Sequence, residues 1–189
     1  MKLAISLLFG GTTLFTAPAF AVADISSPSA AITLTADGTA KFGDKFKANQ
    51  LNGYFHDKFT FSVLVASDVN MIVTSISTRA SNGLDLSGLG LYSSQGQFIA
   101  GGSNDLLNTL TPSGYEDQWT LSVAHLAVGD YYFKVDGHLV STGGGAFAAN
   151  GTVLAVPEPA TYGMLLGGLA LLAGVSRRRR SVVAAKAAL

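Results

Sequence analysis

The chain has 189 residues, enough for one ordinary domain plus accessory segments. Its formal net charge of zero hides a segregation. Between Asp24 and Pro159 stand six basic and twelve acidic residues, a net of −6, and the compensating positives (Lys2, Arg177 to Arg180 and Lys186) lie in the two tails. A basic stripe for nucleic acid is therefore absent from the central region. The lack of any cysteine excludes disulfides, thiolate metal sites, a cysteine nucleophile and an acylated lipoprotein cysteine.

The N-terminus has the form of a secretory signal over residues 1–23. Met1-Lys2 gives a positive start and Leu3 to Phe15 a mostly apolar run. "APAFAVAD" then offers small-residue cleavage sites after Ala21 or after Ala23. Such a signal places the mature chain outside the cytoplasm. Residues 24–155 form the predicted domain, and its patterning is β throughout. Candidate strands in chain order are 31–36, 59–66, 70–77, 89–94, 97–101, 118–124, 131–136, 138–140 and 146–156. Phe59, Phe61, Val63 and Val65 alternate with less apolar neighbours and give one strongly apolar face. Turn signals stand at Asp37-Gly38, Asn82-Gly83, Gln95-Gly96, Gly129-Asp130 and Asp136-Gly137. Eight or so short strands with this punctuation predict an all-β fold, a single antiparallel sandwich of jelly-roll-like form. No amphipathic helix is expected between residues 24 and 156.

Two resemblances follow from these residues. "FHDKFTF", with Phe55, Asp57 and Phe59, resembles the signature of the FxDxF family of PEP-CTERM proteins. The run from "FHDKFTFSVLV" through "LGLYSSQGQFIAGG" to "LAVGDYYFKVDG" resembles bacterial pre-peptidase C-terminal β-sandwich domains. Ser93 stands where those have aspartate, and Gly129-Asp130 where they have glycine-threonine. This second resemblance implies a fold, not an activity. The FxDxF pattern also occurs as "FGDKF" (42–46), which is expected to be a coincidental near-repeat. The bland reading has both phenylalanines packing inward, with the aspartate capping a turn or pairing with its neighbouring lysine. The sharp reading makes Asp44 and Asp57 ligands of a cation or partner. The bland one is favoured, because buried aromatics are the usual source of sandwich stability.

Little else carries chemistry. His56, His125 and His138 have no HExxH or HxH spacing, and no G-x-S-x-G or S-x-x-K motif occurs. Asp85, Asn104, Asp105, Glu116 and Asp117 are read as acidic loops. They offer a weak calcium option without the D-x-D-x-D-G run that would gather six to eight oxygens. Trp119 reads as core more than as a sugar platform. "STGGGAFAANG" lacks the lysine and helix of a phosphate loop. No enzyme, no metal and no cofactor is expected.

The tail, residues 156–180, is the most specific feature. Sixteen residues from Thr161 to Ser176 carry no charge. As a helix they would span about 24 Å, against a hydrocarbon core of about 30 Å. Arginine snorkelling and Tyr162 at the opposite interface make the span feasible. Arg177, Arg178, Arg179 and Arg180 fit a cytoplasmic basic stop, with residues 181–189 as a cytoplasmic tail. The prolines bias Val156 to Pro159 to an extended peptide that an enzyme cleft can bind. "VPEPATYGMLLGGLALLAGVSRRRR" resembles the PEP-CTERM sorting signal in its Pro157-Glu158-Pro159 box, its glycine-containing apolar helix and its arginine cluster. "SVVAAKAAL" (181–189) departs from it, because such signals usually end closer to the arginines. The resemblance implies an exosortase-type enzyme as partner, transient anchoring in the inner membrane of a Gram-negative bacterium, and delivery to the cell surface or an exopolysaccharide matrix. The alternative is a carbohydrate- or calcium-binding sandwich that stays anchored in that membrane.

Overall fold

The computed structural model describes residues 22–156 and 162–173. Ten strands follow in chain order: β1 (Ala30–Ala31), β2 (Thr39–Phe46), β3 (Tyr54–Val63), β4 (Ser67–Ser77), β5 (Leu84–Ser93), β6 (Phe98–Gly101), β7 (Ser103–Thr111), β8 (Gly114–Leu126), β9 (Gly129–Leu139) and β10 (Gly145–Ala155). They build two five-stranded sheets, ordered β1-β3-β9-β5-β6 and β2-β10-β4-β8-β7. The expected all-β, two-sheet architecture is present. One edge differs from the all-antiparallel prediction. The two-residue β1 runs parallel to β3, pairing Ala30 with Phe59, and Asp24 makes a parallel bridge to Tyr54.

Period-two alternation explains which side chains reach the interior. In β3, Phe55, Asp57, Phe59, Phe61 and Val63 are buried while His56, Lys58, Thr60 and Ser62 face out. In β9, Tyr131, Phe133, Val135 and Leu139 do the same, and β4 adds Val69, Met71 and Val73 from the facing sheet. The result is a single cluster between the sheets.

Several strand limits differ from the pattern-based expectation. The segment 31–36 is strand only at Ala31. Beyond it Ile32 turns into the core and the chain bends at Asp37-Gly38, where Gly38 has φ +78°. Strands β2 and β7 were not expected. Lys41, Gly43, Asp44 and Lys45 dilute the alternation of β2. Bulges between Asn104 and Leu106 and between Leu106 and Thr109 break that of β7. Asp136-Gly137 is no turn, because β9 runs straight through it and the candidate strands 131–136 and 138–140 are one. Gly137 lies opposite Phe55 in the ladder, and a Cβ there would stand 2.5 Å from both Phe55 Cζ and the Asp85 carbonyl oxygen. The glycine makes room for a phenylalanine instead of turning the chain. The Gly137→Ala variant is therefore expected to lose about 1–3 kcal/mol of stability in urea titration. Gly143→Ala, whose Cβ would come no nearer than 3.8 Å to Ser141 Oγ, should shift it by no more than about 0.5 kcal/mol.

Candidate functional site

Two regions carry the predicted site residues. In the first, the FxDxF motif of β3 meets the near-repeat of β2 across the sandwich. Phe42 stacks on Phe59 with ring centroids 4.3 Å apart, and Phe46 stacks on Phe55 at 4.4 Å. Between these ring pairs the Asp57 carboxyl faces that of Asp44. The pairs 42/59, 44/57 and 46/55 run antiparallel, so the two copies interlock layer by layer. "FGDKF" is thus the packing partner of "FHDKF" across the sandwich. Phe147 extends the cluster, lying 5.6 Å from Phe55 and 6.3 Å from Phe46.

Among the described residues neither aspartate forms an ion pair with its neighbouring lysine. Asp57 is 1% exposed, and its Oδ1 accepts a hydrogen bond from the Ser27 amide at 2.8 Å. Asp44 Oδ1 accepts from the Lys45 amide at 2.6 Å. The Oδ2 atoms of both are buried and receive no hydrogen bond from any described donor. Lys58 turns away and lies over the Tyr132 ring, 5.3 Å from its centroid. Burial, with Asp44 and Asp24 adding to it, pushes the Asp57 carboxyl up to about 6, and the Ser27 amide offsets only part of that rise.

The other titratable candidates lie elsewhere. Asp85, Asn104, Asp105, Glu116 and Asp117 stand in strands β5, β7 and β8, not in loops. Asp117 is buried and fully used as a tie: Oδ2 accepts from the Leu86 amide at 3.0 Å and Oδ1 from the Asn108 amide at 2.6 Å. Its carboxyl is also pushed up by burial. Among the described residues no three acidic or histidine side chains converge as a metal centre would require. His56 Nδ1 meets Asp136 Oδ1, and His138 lies 3.9 Å from Asp85. The amide of His125 donates to Asp68 Oδ1. Trp119 packs on the core and donates its indole N–H to the Leu86 carbonyl at 3.1 Å. A row that sequence reasoning missed crosses the outer face of the first sheet. Thr60, Tyr132, Tyr92 and Phe98 are successive cross-strand partners on β3, β9, β5 and β6. Tyr92 and Tyr132 are stacked at 5.3 Å, and Tyr92 leans over Gly90. Each aromatic lies in a different strand, so only the register reveals the row.

The second region is the tail. Strand β10 ends at Ala155, and the Val156 amide donates to the Ala66 carbonyl at 2.8 Å. Pro157, Glu158 and Pro159, and Arg177 to Arg180, lie outside the described residues, as do residues 1–21 of the expected signal peptide. Residues 162–173 form a helix of about 18 Å with every side chain exposed, including Met164, Leu165, Leu166, Leu171 and Leu172. Among the described residues no helix is long and apolar enough to cross a membrane.

A two-sheet β domain followed by a proline-glutamate-proline box, an apolar helix and an arginine run has the layout of a protein with a C-terminal sorting segment. The family model of the PEP-CTERM protein-sorting motif matches residues 155–180, and the chain carries that motif. No curated protein sequence matches the chain. Among solved structures it is similar to the pre-peptidase C-terminal domain of a collagenase from Bacillus anthracis. That likeness has 15% identity and a TM-score of 0.37, and it covers 65% of this chain and 92% of that one. It is also similar to PliG from Aeromonas hydrophila, a periplasmic inhibitor of g-type lysozyme. There the identity is 11% and the TM-score 0.39, with 69% of this chain and 99% of that one covered. Neither likeness bears on activity.

The buried Asp57 gives stability a defined pH dependence. The folded-state value of Asp57, about 6, lies above its ordinary 3.8. The contribution of this group is therefore fully present below about pH 4 and lost as pH rises through about 6. The shift corresponds to roughly 3 kcal/mol. An Asp57→Asn side chain can still accept from Ser27 and can donate to Asp44 Oδ2. Urea titrations should show Asp57→Asn more stable than the parent by about 1–3 kcal/mol at pH 8, with the gap closing at pH 4.

Proposed function

We propose that this chain is a non-enzymatic exported protein. A signal peptide carries it across the inner membrane, and its C-terminal segment holds it there. An exosortase-type enzyme then cuts near Pro157-Glu158-Pro159 and releases the sandwich to the cell surface or extracellular matrix. The observation that carries this reading is the PEP-CTERM sorting motif over residues 155–180. The position of the motif supports it as well. The box begins directly after Val156, whose amide makes the last backbone hydrogen bond described for the sandwich. A cut there removes nothing from the ladder. Mass spectrometry of the protein isolated from its cells should find a mature form that ends between residues 156 and 160. A mature form retaining residues 160–189 would overturn the cleavage reading.

A second reading, a carbohydrate-binding sandwich that stays in the membrane, is favoured by one observation. The Tyr132-Tyr92-Phe98 row lies beside Thr60, Lys58 and Lys134, so ring faces and hydrogen-bonding groups share one surface. Aromatic rings flanked by such groups suit the mixed apolar and hydroxylated faces of sugars. Titration calorimetry of the protein with the polysaccharide of its own cells would show heat that Tyr92→Ala abolishes. Absence of heat, together with a released mature form, would remove this reading.

A further inference from the structure

The end of the sandwich from which the tail departs is built differently from an ordinary loop surface. Strands β3 and β4 are joined there by Leu64, Val65 and Ala66, and β8 and β9 by Ala127 and Val128. Register sets the two connections side by side, since Val63 pairs with Gly129 and Ser67 with Leu126. Ala155 pairs with Ser67 and the Val156 amide binds the Ala66 carbonyl, so the chain leaves the domain against the same loop. These short tips carry large apolar side chains where turn residues would be usual. Leu64 is 84% exposed, Val128 64% and Val65 55%. Leu154, also exposed, stands beside the exit.

The other groups at this end limit what it can meet. No lysine or arginine stands in residues 34–38, 64–66 or 127–128. The nearby carboxylates are engaged within the domain: Asp37 with Thr35 and Thr39, Asp68 with the His125 amide, and Asp130 with Ser62. With no lysine or arginine in these segments an anionic partner has nothing to bind, and the exposed leucine and valines suit an apolar one. Residues 157–161 separate Val156 from the helix that begins at residue 162. Fully extended, the six steps from Val156 to residue 162 reach no more than about 22 Å. The start of the described helix therefore lies within that distance of Val156, at the end of the sandwich that carries the exposed leucine and valines.

We propose that this end of the sandwich is a membrane-contact surface, with Leu64, Val65 and Val128 resting in the headgroup region of the bilayer that holds the tail. The inference builds on the reading of the tail as membrane-embedded and adds a contact made by the folded domain itself. Side chains of this kind gain by leaving water for the interface without spanning anything. The contact stands the strands end-on to the membrane, with the 140–144 connection at the far end.

The absence of cysteine allows a direct test on the full chain, reconstituted in vesicles of phosphatidylethanolamine and phosphatidylglycerol. Single labels with an environment-sensitive fluorophore go on Leu64→Cys, Val128→Cys, Gly143→Cys and, in the tail, Leu166→Cys. Lipids carrying a nitroxide near the headgroup should quench the labels at 64 and 128 several-fold more than the one at 143. Val65→Asp should reduce the quenching at 128. Labels at 64 and 128 that behave like the one at 143 overturn the contact surface. The label at 166 judges the tail separately. Quenched while 64 and 128 are not, it leaves the tail reading standing; unquenched, it removes that reading whatever the loops do.

Discussion

The stacking of Phe42 on Phe59 and of Phe46 on Phe55 is the contact on which the rest of the fold depends. Strand β2 is the outer strand of its sheet and pairs only with β10 in the ladder. Backbone pairing on one side would leave it free to peel away. The aromatic stack fastens it instead to β3 in the opposite sheet. Phe147 of β10 and Phe133 of β9 join the same cluster, so the rings connect both sheets at the edge where the sandwich would otherwise open. Gly137 is part of this arrangement, because Phe55 occupies the volume its side chain would fill.

The aspartates between the ring pairs work against this gain. Holding Asp57 buried and ionised above pH 6 costs roughly 3 kcal/mol. Four phenylalanines buried wholly or in part contribute about 1.5–3 kcal/mol each at full burial. Each stacked pair adds about 0.5–1.5 kcal/mol. The aromatic contribution therefore exceeds the Asp57 cost, and β2 stays docked above pH 6. The Ser27 amide recovers part of the cost and ties the N-terminal segment across the same edge.

How much was legible follows from the range of each interaction. The alternation of β3, β4, β8 and β9 is local, and so is the linear order of box, apolar run and arginines, so both can be read in one pass along the chain. The meeting of Asp44 with Asp57 depends on two strands in different sheets, and neither "FGDKF" nor "FHDKF" contains its partner. The Tyr132-Tyr92-Phe98 row depends likewise on the register of three strands. At Asp136-Gly137 the local signal misled, because glycine serves either a positive φ or a close approach and composition does not separate the two. The missed strand β7 shows the converse. Its bulges, with Asn108 at φ +45°, are held by the buried Asp117 of β8, so its shape is imposed by a neighbour.

The two ends of the described sandwich differ in what a cut there would remove. At the C-terminus the last ladder pair is Ala155 with Ser67, and one further hydrogen bond runs from Val156. A cut within residues 157–159 therefore spares every backbone contact described for β10. At the N-terminus the Ala23 carbonyl accepts from the Tyr54 amide at 3.0 Å, and the Ile25 amide returns a bond to the Tyr54 carbonyl. Removal of a leader after Ala21 keeps both bonds, whereas removal after Ala23 gives up the first. Tyr54 begins β3, the strand that carries the FxDxF stack, so the earlier site leaves the critical edge better tied. Among the described residues, the backbone hydrogen bonds of the sandwich run from Ala23 to Val156. The sorting motif over residues 155–180 overlaps the described ladder only at its first residue, Ala155.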